Sequence, residues 1–589
     1  MAPTITLELL VTFLSSFLSQ LACGEDTQTS ASFTLMDMVR ELEVIRWTPD
    51  TAATHELARQ IRSHLNRHSL FHRLPTEVIC TIFHFAVENV PVPRDIEAHE
   101  PSDDLAVNNV PRDGPAKHAV RISSVSRLWR EIATQKCATL WTHLDTLPIP
   151  LLDLFLSRSR SAPLEVVFDA STACGVVDTL HFFELVVPHI HRWRACCVLY
   201  EGWREGGDEC EFFSLLEPAL AAAAQLEILQ LSEIELKQPD TFPLKLLETS
   251  SGIAPHPRMI DLDVGIPMNF PVYRGLTKLR LAWFDYDEPD GVHQLLCALG
   301  LCPLLESITL ERLAFSAIPT ARVSNPVITL PHLQELLIEE DGDTRWAQLH
   351  FLPCITIPVS CILKIDAHGD DLSHLLPRRS NFLPNMPDIQ SVRVSYMGCS
   401  WDRRRPYVQG KMLAVNQDTF RFNLECDSDL HNAGNRDIFP RIILSIGRML
   451  PLPLLEEVVL SRGELRDSDP TPALRSFLRL HPTIKIVALN GYWPWSSILE
   501  LFIVTRTRQL CPLLQDLCLG PFQGLDESVL LAVVKSRTAS VVGSRHLRGV
   551  TPLLRLFLDP RRERLSTSAL STLTTHVTVG FKRLEVYYP

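Results

Sequence analysis

Pro303-Leu304-Leu305-Glu306-Ser307-Ile308-Thr309-Leu310 is followed by Pro331-His332-Leu333-Gln334-Glu335-Leu336-Leu337-Ile338. In both, a proline stands two residues before apolar side chains set in the frame L-x-x-L-x-L. The second half of that frame alternates apolar and other residues, which is the period of a strand with one buried face. The frame returns at Leu226/Leu229/Leu231, Leu276/Leu279/Leu281, Ile389/Val392/Val394, Leu455/Val458/Leu460, Ile484/Val487/Leu489, Leu514/Leu517/Leu519 and Phe581/Leu584/Val586. Met259/Leu262/Val264 and Trp193/Cys196/Val198 are weaker members.

A leucine-rich chain produces such triplets by accident, and the prolines test that explanation. Pro257, Pro387, Pro453, Pro482 and Pro512 hold the same offset as Pro303 and Pro331, in a chain with only 42 prolines among 589 residues. A proline at that place ends a helix and holds the following residues extended. Helix-like runs do precede several of them: Val292 to Leu299, Ile442 to Leu450 and Ile498 to Leu510. Leu305 lies 28 residues before Leu333, Leu455 lies 29 before Ile484, and Ile484 lies 30 before Leu514. The two wide gaps hold degenerate strand candidates at Cys361 to Ile365 and Thr419 to Leu424. One strand and one helix per unit of about 30 residues is the signature of a divergent leucine-rich-repeat solenoid, expected here over residues 150–589.

In such a strand the first, fourth and sixth positions turn into the core, and the third, fifth and seventh line the concave face. That places Lys278, Arg280, Thr309, Glu311, Glu335, Leu337, Glu339, Glu457 and Asp516 on a target-binding surface, with Arg583, Glu585 and Tyr587 at its far end. The stretch from Glu311 to Glu339 is acidic and has basic neighbours, so a basic segment of a protein target is expected to engage it.

The chain before residue 150 has a different character. Leu74-Pro75-Thr76-Glu77-Val78-Ile79 opens a segment in which Val78, Ile79, Ile82, Phe83 and Ala86 fall at helical spacing on one face. Pro75 suits a first helical turn, where its missing N–H costs nothing. A second segment carries Val125, Leu128, Trp129 and Ile132 at the same spacing and closes on Leu140-Trp141. Residues 88–117 between them are rich in proline and acids and read as an exposed insert. The words LPTEVICTIFHFAV, VRISSVSRLWREIA and LW resemble the F-box, a helical module of about fifty residues found in ubiquitin-ligase substrate receptors. Leu74, Pro75, Glu77, Ile79, Ile82, Val125, Arg127, Trp129, Arg130 and Trp141 stand on matching positions, and Ser126 departs where a cysteine is frequent. The long insert and the repeats behind it are similar to the large F-box families of basidiomycete fungi. The resemblance covers residues 71–146. It implies that Leu74, Pro75, Ile79 and Ile82 meet a Skp-type adaptor and through it a cullin-RING ligase. It implies too that Val125, Trp129 and Trp141 pack the module.

Composition excludes several other classes. A formal charge of −13 with no basic stripe argues against nucleic-acid binding. Arg403-Arg404-Arg405 reads as a solvated loop before it reads as an import signal. Fifteen cysteines without a C-x-x-C pair, and no N-x-S/T site, fit a reducing cytoplasmic or nuclear compartment. Residues 1–32 include the apolar run Leu7 to Cys23, which lacks a basic flank, is interrupted by Glu8, and is too short for a convincing membrane span. Residues 33–70 form a helical lead-in whose His64 and His68 have metal-ligand spacing but no third ligand beside them. No nucleophile elbow, phosphate loop or dinucleotide fingerprint occurs, so no catalytic residue, cofactor or metal is assigned. The expected protein is a non-catalytic substrate receptor; an F-box scaffold without ubiquitin transfer and a secreted repeat protein or hydrolase are the alternatives.

Overall fold

The computed structural model describes residues 74–88, 115–145, 147–169, 179–199, 223–232, 257–262, 275–283, 285–286, 290–315, 326–340, 346–368, 372–377, 386–396, 407–412, 417–425, 439–463, 469–520, 525–538, 549–559 and 565–581. The expectations for Leu7 to Cys23, His64 and His68, most of the insert, Arg403-Arg404-Arg405, and Arg583, Glu585 and Tyr587 lie outside those residues. The chain divides into two units, Met1–Leu164 and Glu165–Pro589.

In the first unit, helix α1 (Thr76–Glu88) starts directly after Pro75, whose carbonyl accepts the Ile79 N–H at 3.1 Å. Ile79, Phe83 and Val87 are its buried residues, one turn apart. Helix α2 (Pro115–Ser124) begins inside the expected insert, and α3 (Arg127–Gln135) follows it after a break. That break is chemical. The Ser126 hydroxyl caps α3 by accepting the Trp129 N–H at 3.1 Å, so the helix restarts there. Val125 is left at the corner, 59% exposed, and so does not pack the module as the resemblance implied. A 3-10 turn (Ala138–Trp141) and helix α4 (Ile149–Ser159) complete the unit. Trp141 is fully buried; its Nε1 donates to the Ala133 carbonyl at 2.7 Å and its ring meets Phe155 edge-on at 4.9 Å. Trp129 is half-buried with its ring 5.0 Å from Phe83.

The second unit is mixed α/β and built on a large, mostly parallel sheet. Its strands are β1 (Leu164–Asp169), β2 (Trp193–Leu199), β3 (Ile228–Ser232), β4 (Met259–Leu262), β5 (Lys278–Ala282), β6 (Ser307–Glu311), β7 (Glu335–Glu339) and β8 (Ile362–His368). They continue with β9 (Ser391–Tyr396), β10 (Tyr407–Met412), β11 (Gln417–Glu425), β12 (Glu457–Arg462), β13 (Ile486–Gly491), β14 (Asp516–Leu519), β15 (Arg555–Leu558) and β16 (Thr578–Phe581). From β2 to β8 each strand pairs in parallel with the next, and the same holds from β12 to β16. Helices α5 (Thr179–Val186), α6 (Gly291–Gly300), α7 (Phe439–Met449), α8 (Thr471–Leu480), α9 (Trp495–Phe502), α10 (Glu527–Thr538) and α11 (Thr567–Thr574) lie between strands in the chain.

The prolines act one step earlier than a helix stop. Leu305, Leu333, Leu455 and Leu514 each donate their N–H to the carbonyl three residues back, at 3.1–3.3 Å. Each closes a β-turn in which Pro303, Pro331, Pro453 or Pro512 is the second residue, the place for which proline's fixed φ is pre-set. The leucine that closes the turn is then buried as the first member of the frame.

Three frames differ from the sequence pattern. Met259 is level with Lys278 rather than with Leu276, so Ile260 and Leu262 are the inward residues of β4 and buried Pro257 takes the first place. Val579 and Phe581 pair with Leu556 and Leu558, so Phe581 ends a frame instead of beginning one. Strand β15, built on Leu553, Leu556 and Leu558, has no counterpart in the sequence pattern.

The centre departs further. The degenerate strands are present as β8 and β11, but β8 pairs with β11, β11 with β10, β10 with β9, and β9 with β12. Strand β10 is therefore antiparallel to both neighbours, and β9 is displaced from the strand that precedes it. Gly410 makes room for this meander. A Cβ there would stand 2.0 Å from the Phe420 ring, which stacks on Phe422 at 4.6 Å.

Candidate functional site

Two surfaces carry the residues of interest, one in each unit. Helix α1 is apolar on two sides, and one of them is buried. With Ile79, Phe83 and Val87 turned inward, Leu74 (37% exposed), Val78 (42%), Ile82 (36%) and Phe85 (60%) remain at the surface. Positions 78, 82 and 85 are spaced by four and three residues, so they lie along one stripe of the helix, and Leu74 lies just before its first turn. Pro75 is exposed beside them. Of the four residues expected to meet an adaptor, Leu74, Pro75 and Ile82 belong to this outward surface, and Ile79, at 1% exposure, belongs to the core. The five residues expected on one face are split: Ile79 and Phe83 turn inward, while Val78, Ile82 and Ala86 are exposed. Every third or fourth residue of α1 is apolar on either side, so spacing alone does not say which stripe is outward.

In the second unit, β6 and β7 alternate strictly. Ser307, Thr309 and Glu311, like Glu335, Leu337 and Glu339, are half-buried on one face, while Ile308, Leu310, Leu336 and Ile338 are buried on the other. The register aligns Arg280, Thr309, Leu337 and Lys364 on adjacent strands in one row, and Glu311 with Glu339 and Asp366 in the next. Lys278 is exposed at the start of β5, and Glu457 is half-buried at the start of β12.

The acids of this face are engaged within the unit. Glu311 accepts from Arg280 Nε at 3.2 Å and Nη2 at 2.6 Å, and Arg280 Nη1 reaches Asp261 at 2.9 Å. Glu335 faces the Lys364 ammonium at 2.7 Å and Glu339 faces Arg312 Nε at 2.7 Å. Asp516 is 4% exposed and paired with Arg555, so it is a buried anchor rather than part of an open face. The stretch from Glu311 to Glu339 is thus a ladder of ion pairs running from strand to strand, not an open acidic track.

At the rim, Trp283 follows β5 and is 59% exposed, with the Arg312 guanidinium 4.2 Å from its ring centroid. Both residues have positive φ, 57° and 50°. Their N–H groups reach the next strand, Trp283 to Glu311 O at 2.9 Å and Arg312 to Glu339 O at 2.6 Å. A bulky residue in the left-handed region costs roughly 1–2 kcal/mol, which the stack and the interstrand bond offset. The only sequence signal for Trp283 is a large aromatic just past the end of a strand frame.

Among the described residues no helix is long and apolar enough to cross a membrane. Compared with known proteins, the chain matches no family model and no curated protein.

Proposed function

We propose that this chain is an F-box substrate receptor of a Skp-cullin-F-box ubiquitin ligase, with a divergent leucine-rich-repeat solenoid behind its F-box. The observation that carries the reading is the exposed apolar surface formed by Leu74 and the outward stripe of α1, Val78, Ile82 and Phe85. Monomeric soluble domains rarely leave a contiguous apolar stripe on a helix whose other side already fills the core, and such a stripe marks a place where another protein docks. In this reading the Skp-type adaptor covers the stripe and the cullin-RING ligase follows through the adaptor. The half-buried face of β5 to β8 takes a protein target. Thr309 and Leu337 supply its centre and the paired charges around them fix its register, while Trp283 stands at its rim.

The test is capture of a purified Skp-type adaptor by the full-length chain. Val78→Asp and Phe85→Asp change exposed residues and leave Ile79, Phe83 and Val87 in place, so the helical signal should not change. Anchors of this kind cost more than about 2 kcal/mol when lost, or roughly a 30-fold weaker complex. Undiminished adaptor capture by the Val78→Asp/Phe85→Asp double variant would overturn the assignment.

A further inference from the structure

Helix α1 also carries a cluster of groups with no part in the stripe. Cys80 is half-buried, and His84 sits one turn later on the same flank of the helix. Cys137, 2% exposed, stands immediately before the 3-10 turn that packs on α1. Its Sγ lies 3.8 Å from His84 Nε2 and 3.9 Å from Thr139 Oγ1, and Thr139 Oγ1 is 2.5 Å from the same ring nitrogen. Cys80 is near enough for its own charge and S–H to act on the Cys137 thiol. Both sulfurs are free thiols.

We propose that Cys80 and Cys137 are a peroxide-responsive thiol pair, with Cys80 oxidised first, Cys137 as the resolving thiol and His84 as the base that takes its proton. The accessible member must react first, because an outside oxidant reaches Cys80 and not Cys137. The Cys80 thiolate attacks hydrogen peroxide; an S–O bond forms as the O–O bond breaks, and hydroxide leaves. That sulfur is thereby oxidised by two electrons to a sulfenic acid. Cys137 then attacks it: the S–S bond forms, the S–O bond breaks, and the departing hydroxide gains a proton to become water. Over both steps two thiols and one peroxide give one disulfide and two waters.

Burial pushes the Cys137 thiol up to about 11, with the nearby Cys80 adding to the shift. Cys137 therefore stays protonated until a sulfenic acid forms beside it, which explains the need for a base at 3.8 Å. In the tautomer that leaves Nε2 unprotonated, its single lone pair accepts from the Thr139 hydroxyl, so the Cys137 proton passes to the Thr139 oxygen at 3.9 Å as that hydroxyl gives its own proton to His84.

The experiment treats reduced full-length chain with hydrogen peroxide and maps its peptides by mass without reduction. The expected result is a linked peptide pair holding Cys80 and Cys137, lost on adding dithiothreitol. In Cys137→Ser the link is absent and dimedone traps Cys80 as a sulfenic acid. His84→Gln should slow link formation several-fold while dimedone labelling of Cys80 persists, a split that mere loss of packing does not produce. In Cys80→Ser, a change at a half-exposed position, Cys137 should stay unmodified at the same peroxide dose. The proposal is overturned if wild-type Cys80 accumulates as the dimedone adduct without the linked peptide, if Cys80 is not oxidised, or if Cys137 oxidises equally in Cys80→Ser. Because the readout is covalent mass, it does not depend on whether the adaptor binds α1.

Discussion

Arg537 is fully buried near the end of α10, and removing it gives the sharpest test of how the second unit is held together. Its Nε donates to the Phe502 carbonyl at 2.8 Å, Nη2 to Leu510 at 2.8 Å and Nη1 to Cys511 at 3.1 Å. These carbonyls lie at the end of α9 and in the approach to the Pro512 turn, where Cys511 is held at a φ of 47°. A cation bound to three carbonyls makes charge-assisted bonds of roughly 1.5–3 kcal/mol each. Against them stands desolvation, which lowers the guanidinium from its ordinary value to about 10, equivalent to about 3 kcal/mol against the charged form. The balance favours the arginine by about 3 kcal/mol, and Arg537→Met should cost that much. Arg537→Lys should cost at least as much, since one ammonium cannot follow three diverging carbonyls. Urea unfolding reads the loss as a lower midpoint at unchanged slope, and hydrogen exchange reads it as faster exchange over residues 503–511. A loss under about 1 kcal/mol with unchanged exchange in that segment would refute the reasoning.

Asp145 is half-buried and accepts from the Ala116 N–H at 3.3 Å, and its desolvation raises the carboxyl above the ordinary range. A raised acid stabilises the fold only while it is protonated, so its contribution is lost as pH rises through the folded value. Asp145→Asn keeps the acceptor and should make the first unit more stable at neutral pH than the wild type, measured as a higher melting temperature at pH 7 than at pH 4 relative to wild type. Gly410→Val should lower stability by about 3 kcal/mol or more, because its Cβ would meet the Phe420 ring at 2.0 Å; an unchanged melting temperature would show that the ring moves freely. Thr309→Arg with Leu337→Arg should abolish target capture while adaptor capture persists, and equal recovery of targets by affinity purification would remove that face from the function.

The strand frames are legible because burial on one face imposes a period of two, and because a turn with proline second sits at a fixed distance before four of the strands. What the sequence pattern missed follows from physics it does not encode. Pro257 fills an apolar position without being counted as one, which displaced the frame of β4 by two residues. Val125 fits the helical period, yet the Ser126 hydroxyl competes for the backbone and ends the period there. The acids between Glu311 and Glu339 are visible in the chain, but their partners Arg280, Arg312 and Lys364 are neighbours only across the sheet. The neighbours of β9 and β11 could not be read at all, since each local pattern fits a strand in either order.

The meander at the centre has a consequence for how the second unit comes together. Along β5 to β8 and again along β12 to β14, a new strand docks on the one made just before it, so ordering can spread by short, cheap loop closures. At the meander this propagation stops. Leu363 must find Phe420, 57 residues on, and Ser391 must find Glu457, 66 residues on, before either flank can borrow order from the other. The unit is therefore two cooperative neighbourhoods joined by β9, β10 and β11, and their coupling free energy is concentrated in those three strands. Weakening the junction, as at Gly410, should split one melting transition into two, each belonging to a flank.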